Sequence, residues 1–161
     1  TYRRSADFRE EGSGIYDQVY AADRPELFFK ATAARCVGPG QPIGRRRDSS
    51  FTASEPELAV VVASSGAILG FTLANDVSAW DIERENPLYL PQSKIFRDCF
   101  AFGPVIVTPD EIGDAYALTL RCRKCGESGQ RQVRPPSPLA AISGWVPPPV
   151  VVLKQVQEDR A

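Results

Sequence analysis

The stretch 55-EPELAVVVASSGAILGFTLANDVSAWDIERENPLYLPQSK-94 decides how this chain folds. Residues 57–63 and 67–74 are apolar runs rich in β-branched and aromatic side chains, separated by Ser64-Ser65-Gly66. Two such runs around a small polar turn predict a β-hairpin. Side chains two apart on a strand share a face, so Glu55 and Glu57 stand together. Pro56 between them donates no ladder hydrogen bond, which suits a strand start or edge. The turn then decides where Asp76 falls. A two-residue turn at Ser65-Gly66 sets Glu55 opposite Asp76, and a four-residue turn sets it opposite Ala74 with the same parity. A three-residue turn sends Asp76 to the other face unless a bulge restores it.

Two of these three registers gather Glu55, Glu57 and Asp76 on one face. Carboxylates so close repel, and burying them unpaired costs several kcal/mol each. A cation must compensate. Oxygen-only ligands, with no His or Cys nearby, suit a hard ion such as Mg²⁺ or Mn²⁺. Three protein ligands also leave positions open for water and substrate, the layout of a catalytic metal. The competing reading is a surface strand end whose acids meet Arg45, Arg46 and Arg47. Those arginines lie in 38-GPGQPIGRRRDSS-50, which reads as turn chemistry.

Composition narrows the function classes. The chain has 161 residues, 43% of them apolar, which suits one domain with a buried core. No apolar run approaches the about 18 residues of a membrane span. Lys and Arg total 19 against 20 Asp and Glu, so there is no basic footprint for nucleic acid. The opening TYRRSADFREEGSG has no apolar signal segment, and a cytoplasmic location is the expectation. Histidine is absent, which excludes His-dependent triads and imidazole general bases within one chain. Cys122 and Cys125 form a single CxxC without the further ligands zinc needs, and they read as ordinary thiols.

Three segments emerge: a polar lead-in (1–14), a central domain (15–123) and a tail rich in Pro, Gly and Ser (124–161), expected to be extended or disordered. Within the domain, 15-IYDQVYAA-22 suggests a short strand, and 25-PELFFKAT-32 a buried strand exposing Lys30. Ser78 is the expected N-cap of a short helix with Asp81 in its first turn. The stretch 86-NPLYLPQSK-94 reads as a Pro-bounded loop, and 100–108 and 114–123 read as strands. Mixed structure, mostly β, is the expected class (α+β).

EPEL at 55–58, followed by NDVSA at 75–79 and Asp81-Ile82, resembles the fumarylacetoacetate hydrolase superfamily. Its metal motif is Glu-x-Glu, then an Asp within Asp-x-Ser/Thr-Ala-Arg-Asp. PELFFKAT, VGPG, DIERENPLYLPQSKI and CFAFGPVIVTPDEI look nearer to the branch of 2-dehydro-3-deoxy-D-arabinonate and related 2-keto-3-deoxy sugar-acid dehydratases. The resemblance covers about residues 15–121 and implies a fumarylacetoacetate hydrolase-like β-roll. It implies Mg²⁺ (or Mn²⁺) on Glu55, Glu57 and Asp76, Lys94 and Glu83 as the proton-transfer residues, and Lys30 and Ser49 in the substrate pocket. The implied reaction is dehydration of a 2-keto-3-deoxy sugar acid through a metal-stabilised enolate, with Lys94 lowered in pKa by the metal, in a homodimer or homotetramer.

Acylpyruvate hydrolysis and oxaloacetate decarboxylation use the same substrate head and are the enzymatic alternatives. Two departures stand out. Trp80 occupies the motif's Arg position, and the family's C-terminal Gly-Asp and Thr-Gly-Thr motifs do not follow Arg123, so the roll is expected to be incomplete there. These departures motivate another alternative, an inactive fragment acting as an interaction module through RPPSP and WVPPP.

Overall fold

The computed structural model describes residues 23–24, 27–120, 122 and 150–153. The hairpin forms from β3 (Pro56–Val62) and β4 (Ile68–Asp76). They pair antiparallel from Pro56↔Asn75 to Val61↔Gly70, and the register then shifts to Val62↔Ile68. The turn holds three residues: Ala63 N–H donates to Ala67 O at 2.8 Å, and Gly66 N–H to Ala63 O at 2.9 Å. Gly66 sits at φ 85°, a left-handed conformation that glycine adopts without steric cost. By itself this turn would put Asp76 on the wrong face. The bulge at Leu69 restores the parity, and Asp76 N–H donates to Glu55 O at 2.9 Å.

The hairpin lies inside a five-stranded sheet of order β1-β6-β4-β3-β7. In it β1 is Cys36–Val37, β6 is Phe100–Val107 and β7 is Val150–Leu153. All neighbours are antiparallel except β1 and β6. A small second sheet pairs β2 (Thr52–Ala53) with β5 (Ser78–Ala79). Helices are short: α1 (Trp80–Glu85), α2 (Leu90–Lys94) and α3 (Pro109–Ile112). Strand exceeds helix, in keeping with the mostly β class expected. Among the described residues no helix is long and apolar enough to cross a membrane.

Strand alternation splits the hairpin into two faces. Leu58, Val60, Ile68 and Phe71 pack with Ile112 and Ala115 on one. The other carries Ala59 and Ala74, packed with Cys99 and Phe100, and places Glu57 and Asp76 on that same side. The acids thus stand beside a core, backed by two segments, one carrying Lys30 and the other Lys94.

Several elements differ from the sequence expectation. Residues 27–32 are not a strand, and their burial is inverted: Leu27, Phe28 and Phe29 are exposed while Lys30 is buried. The Lys30 ammonium finds three oxygen acceptors inside, which outweighs the apolar drive of its neighbours. Ser78 is a β5 residue rather than an N-cap, and α1 has no side-chain cap. The stretch 86–94 is helical, because Asn86 accepts the Leu88 N–H at 2.9 Å and the prolines sit in first turns, where no N–H is needed. Residues 115–117 form a 3₁₀ turn, with Ala115 packed onto the apolar sheet face instead of pairing in a strand. Residues 150–153 of the tail add an edge strand. The strand expected at 15–22, the rest of the tail and Cys125 lie outside the described residues.

Close approach of β4 to β6 depends on Gly70. A Cβ there would meet Val107 O at 2.5 Å and Ile106 Cγ2 at 2.6 Å. Gly70→Ala is therefore expected to cost about 1–3 kcal/mol by overpacking. Urea unfolding checks this, and a wild-type midpoint would contradict the stated contact.

Candidate metal centre

The hairpin brings one oxygen each from Glu55, Glu57 and Asp76 within 4.8 Å of one another. All three residues are buried, with exposures of 3%, 5% and 0%. Backbone geometry enforces the cluster. Glu55 N–H donates to Asn75 Oδ1 at 3.0 Å and Asp76 N–H returns to Glu55 O, so the strand ends are tied across their last pair. Asp76 terminates β4, and the chain then turns away through β5.

Two lysines supply the compensating charge, and the arginine loop does not. Arg46 pairs with Asp48, and Arg45 donates to Ser49 O at 3.0 Å. Lys94, the last residue of α2, donates from Nζ to Glu55 Oε2 at 3.0 Å, Asp76 Oδ2 at 2.9 Å and Ser78 Oγ at 2.7 Å. Lys30 approaches from behind. Its Nζ pairs with Asp76 Oδ1 at 2.7 Å and donates to Val77 O at 2.7 Å and Lys94 O at 2.5 Å. Three N–H groups therefore meet three protein acceptors, which makes Lys30 part of the scaffold behind the acids.

Ser49 is buried outside the cluster. Its Oγ donates to Asp81 Oδ1 at 2.7 Å, while Ser50 N–H and Oγ bind Asp81 Oδ2 at 2.6 and 2.9 Å. Burial would push Asp81 up, but these hydrogen bonds hold it well below the usual carboxylate range. The contact pins the start of α1 to the 49–50 loop.

Glu83, on α1, is half-buried, with Ser93 Oγ 3.5 Å from its Oε2. Burial raises its pKa, as do the charges of Glu55 and Asp76, with Lys94 opposing them. The expected lowering of the Lys94 pKa concerns the metal-bound centre; in the metal-free centre the surrounding acids act the other way. Burial alone would lower it, but Glu55, Asp76 and Glu83 outweigh that and raise it.

Sequence reading missed two contributors. Ser78 accepts from Lys94 and itself donates to Asp76 O at 3.0 Å. Trp80 Nε1–H donates to Glu55 Oε1 at 2.6 Å. A Ser two residues after Asp76 signals the first, once the helix-cap reading is set aside. The second has no local sequence signal, because it joins residues 25 positions apart.

Donor chemistry fits a hard divalent cation. The ligand set is all oxygen, and two ammonium groups face three carboxylates. Glu57 Oε2 is buried without a hydrogen-bond partner among the described residues. An orphaned buried carboxylate oxygen beside two other acids is what a missing cation partner leaves.

Comparison with known proteins agrees with this geometry. The profile described as "Fumarylacetoacetate (FAA) hydrolase C-terminal" matches residues 6–134. This chain belongs to the fumarylacetoacetate hydrolase family. Within the family it is 62% identical over 109 residues to the 2-dehydro-3-deoxy-D-arabinonate dehydratase of Saccharolobus solfataricus, covering 68% of this chain and 37% of that enzyme. It is 50% identical over 123 residues to a probable 2-keto-3-deoxyxylonate dehydratase of Haloferax volcanii, covering 74% of this chain and 42% of that protein. A solved 2-keto-3-deoxy-D-arabinonate dehydratase, complexed with magnesium and 2,5-dioxopentanoate, superposes with a TM-score of 0.71 at 56% identity. That match covers 78% of this chain and 46% of the solved one. The chain thus spans less than half the length of these relatives, and the fold of the described part is that of the family's dehydratases.

Glu57 gives the centre a pH signature. Burial first, then the charges of Asp76 and Glu55, push its carboxyl from the ordinary 4.5 up to about 8. Between those values the folded chain keeps a proton that the unfolded chain has lost, so stability falls as pH rises. Without divalent ions, stability is expected to drop by up to ~1.4 kcal/mol per pH unit across this window. Glu57→Gln should flatten the slope. Thermal melts in chelator at stepped pH test it, and equal slopes for both proteins would rule Glu57 out as the cause.

Proposed function

We propose that this chain carries the metal and keto-acid centre of a divalent-metal-dependent hydro-lyase that dehydrates a 2-keto-3-deoxy sugar acid. The observation that carries the reading is the convergence of three buried carboxylates within 4.8 Å, with Lys94 among them and Glu57 Oε2 lacking a hydrogen-bond partner. Support for the substrate class comes from the dehydratases at 62% and 56% identity, the second of which holds magnesium and a dioxo acid.

Glu55, Glu57 and Asp76 would hold Mg²⁺, or Mn²⁺, through oxygen alone. Bound there, the ion supplies a Lewis acid that draws electron density from a 2-keto carboxylate and acidifies its C3 protons. The chain's own groups handle the protons. One accepts the C3 proton, and another protonates the C4 hydroxyl, which departs as water. Lys94 and Glu83 are the pair for these two tasks: both lie beside the acids and feel each other's charge. Ser49 and Lys30 support the centre by fixing α1 and Asp76. Self-association fits the exposed Leu69 and Leu73 of β4 and Val105 and Ile106 of β6, which need covering in the working unit.

Hydrolysis of an acylpyruvate in this family's manner would call for a His–Glu pair to activate water, and the chain has no histidine. Assays with a 2-keto-3-deoxy pentonate, an acylpyruvate and oxaloacetate, each with Mg²⁺, separate the reactions. Turnover of the deoxy sugar acid is expected, and loss of about 10²-fold or more in kcat for Lys94→Ala and Glu83→Gln. Mg²⁺ at about 100 times its Kd should stabilise the fold by ~2.7 kcal/mol. Glu57→Ala should erase that shift. Pyruvate release from an acylpyruvate, with the deoxy sugar acid untouched, would replace the dehydratase reading by the hydrolase one.

A further inference from the structure

We infer that Trp80 is a positioning residue for the metal ligand Glu55 and an optical reporter of the ion bound there; the inference rests on the metal reading above. The indole does not simply fill space. Its Nε1–H donates to Glu55 Oε1 at 2.6 Å, while Oε2 of the same carboxylate accepts from Lys94 Nζ at 3.0 Å. A carboxylate held at one oxygen has its plane fixed, so the other oxygen keeps its aim. The donor is neutral. It therefore orients Glu55 without adding a third positive charge to a cluster that Lys30 and Lys94 already face.

The indole is itself held at several points. Trp80 N–H donates to Phe51 O at 3.0 Å, which fixes the first residue of α1. Its ring meets the Phe51 ring at 5.7 Å between centroids, tilted by 56°. The next residue, Asp81, is clamped by Ser49 and Ser50. Backbone, ring and neighbouring side chain thus converge on one indole orientation, and that orientation aims the N–H at Glu55. Hydrogen bonds of this kind to metal-bound carboxylates tune ligand geometry, and their loss costs about 10–100-fold in metal affinity.

The arrangement has a spectroscopic consequence. A divalent ion drawing electron density from Glu55 weakens Oε1 as an acceptor and changes the field at the indole, so Trp80 emission must respond to the ion. The chain's other tryptophan is Trp145, outside the described residues. Mg²⁺ titration of the Trp145→Phe chain, followed by fluorescence and by calorimetry, is the test. A saturable emission change with the calorimetric Kd is expected, and Trp80→Phe should bind Mg²⁺ about tenfold more weakly or worse. A purely structural tryptophan would leave emission flat through a titration that saturates by heat, and that outcome overturns the role of Trp80 alone. Absence of any Mg²⁺ heat in the wild-type chain would instead remove the metal reading, and this inference with it.

Discussion

Like charges forced together inside a protein separate, lose their charge or acquire a counter-ion. Glu55, Glu57 and Asp76 cannot separate, because the β3–β4 ladder ties their backbones across the last pair of the hairpin. Desolvation of each acid costs several kcal/mol. Lys94 offsets part of this by bridging Glu55 and Asp76, and Lys30 offsets more at the other oxygen of Asp76. Both lysines are themselves buried, so each also bears a desolvation cost that only close carboxylates repay. Glu57 is left over. Burial first, then the charges of Asp76 and Glu55, raise its pKa, and its Oε2 has no hydrogen-bond partner among the described residues, a deficit that a divalent ion would meet.

Much of the surrounding structure follows from holding this cluster. The 86–94 segment folds into short helical turns that end on Lys94, so its ammonium reaches the acids from α2. The chain before β1 passes behind Asp76 because Lys30 is drawn there, at the expense of exposing Phe29 and Leu27. Asp81 and the 49–50 loop lock α1 beside the same centre, which sets the direction of Trp80.

The hairpin and its acid face were legible because β structure repeats every two residues, so parity can be counted on paper. The actual turn was the one register that needed a bulge, and only the Gly66 and Leu69 geometry decides between that and the simpler turns. Strand β6 was legible for the same reason. Lys30 was not: an FFK run carries local apolar preference, while the acceptors that bury the lysine come from residues 77, 94 and 76. Ser78 looks like a cap in one dimension, yet its hydroxyl serves Lys94 across the site. Residues 114–117 show the limit of apolar patterning, since Ala115 is buried by lying on a sheet face rather than by joining one. The motif resemblance named the three acids. Their partners had to come from three dimensions.

The most direct check is to locate the ion itself. Crystals of the chain soaked in Mn²⁺ should give one strong anomalous peak about 2.0–2.3 Å from an oxygen of each of Glu55, Glu57 and Asp76, with Lys94 Nζ moved off that point. No peak there, with Lys94 still bridging Glu55 and Asp76 at saturating Mn²⁺, would mean that the lysines alone balance the acids and that the centre binds no metal.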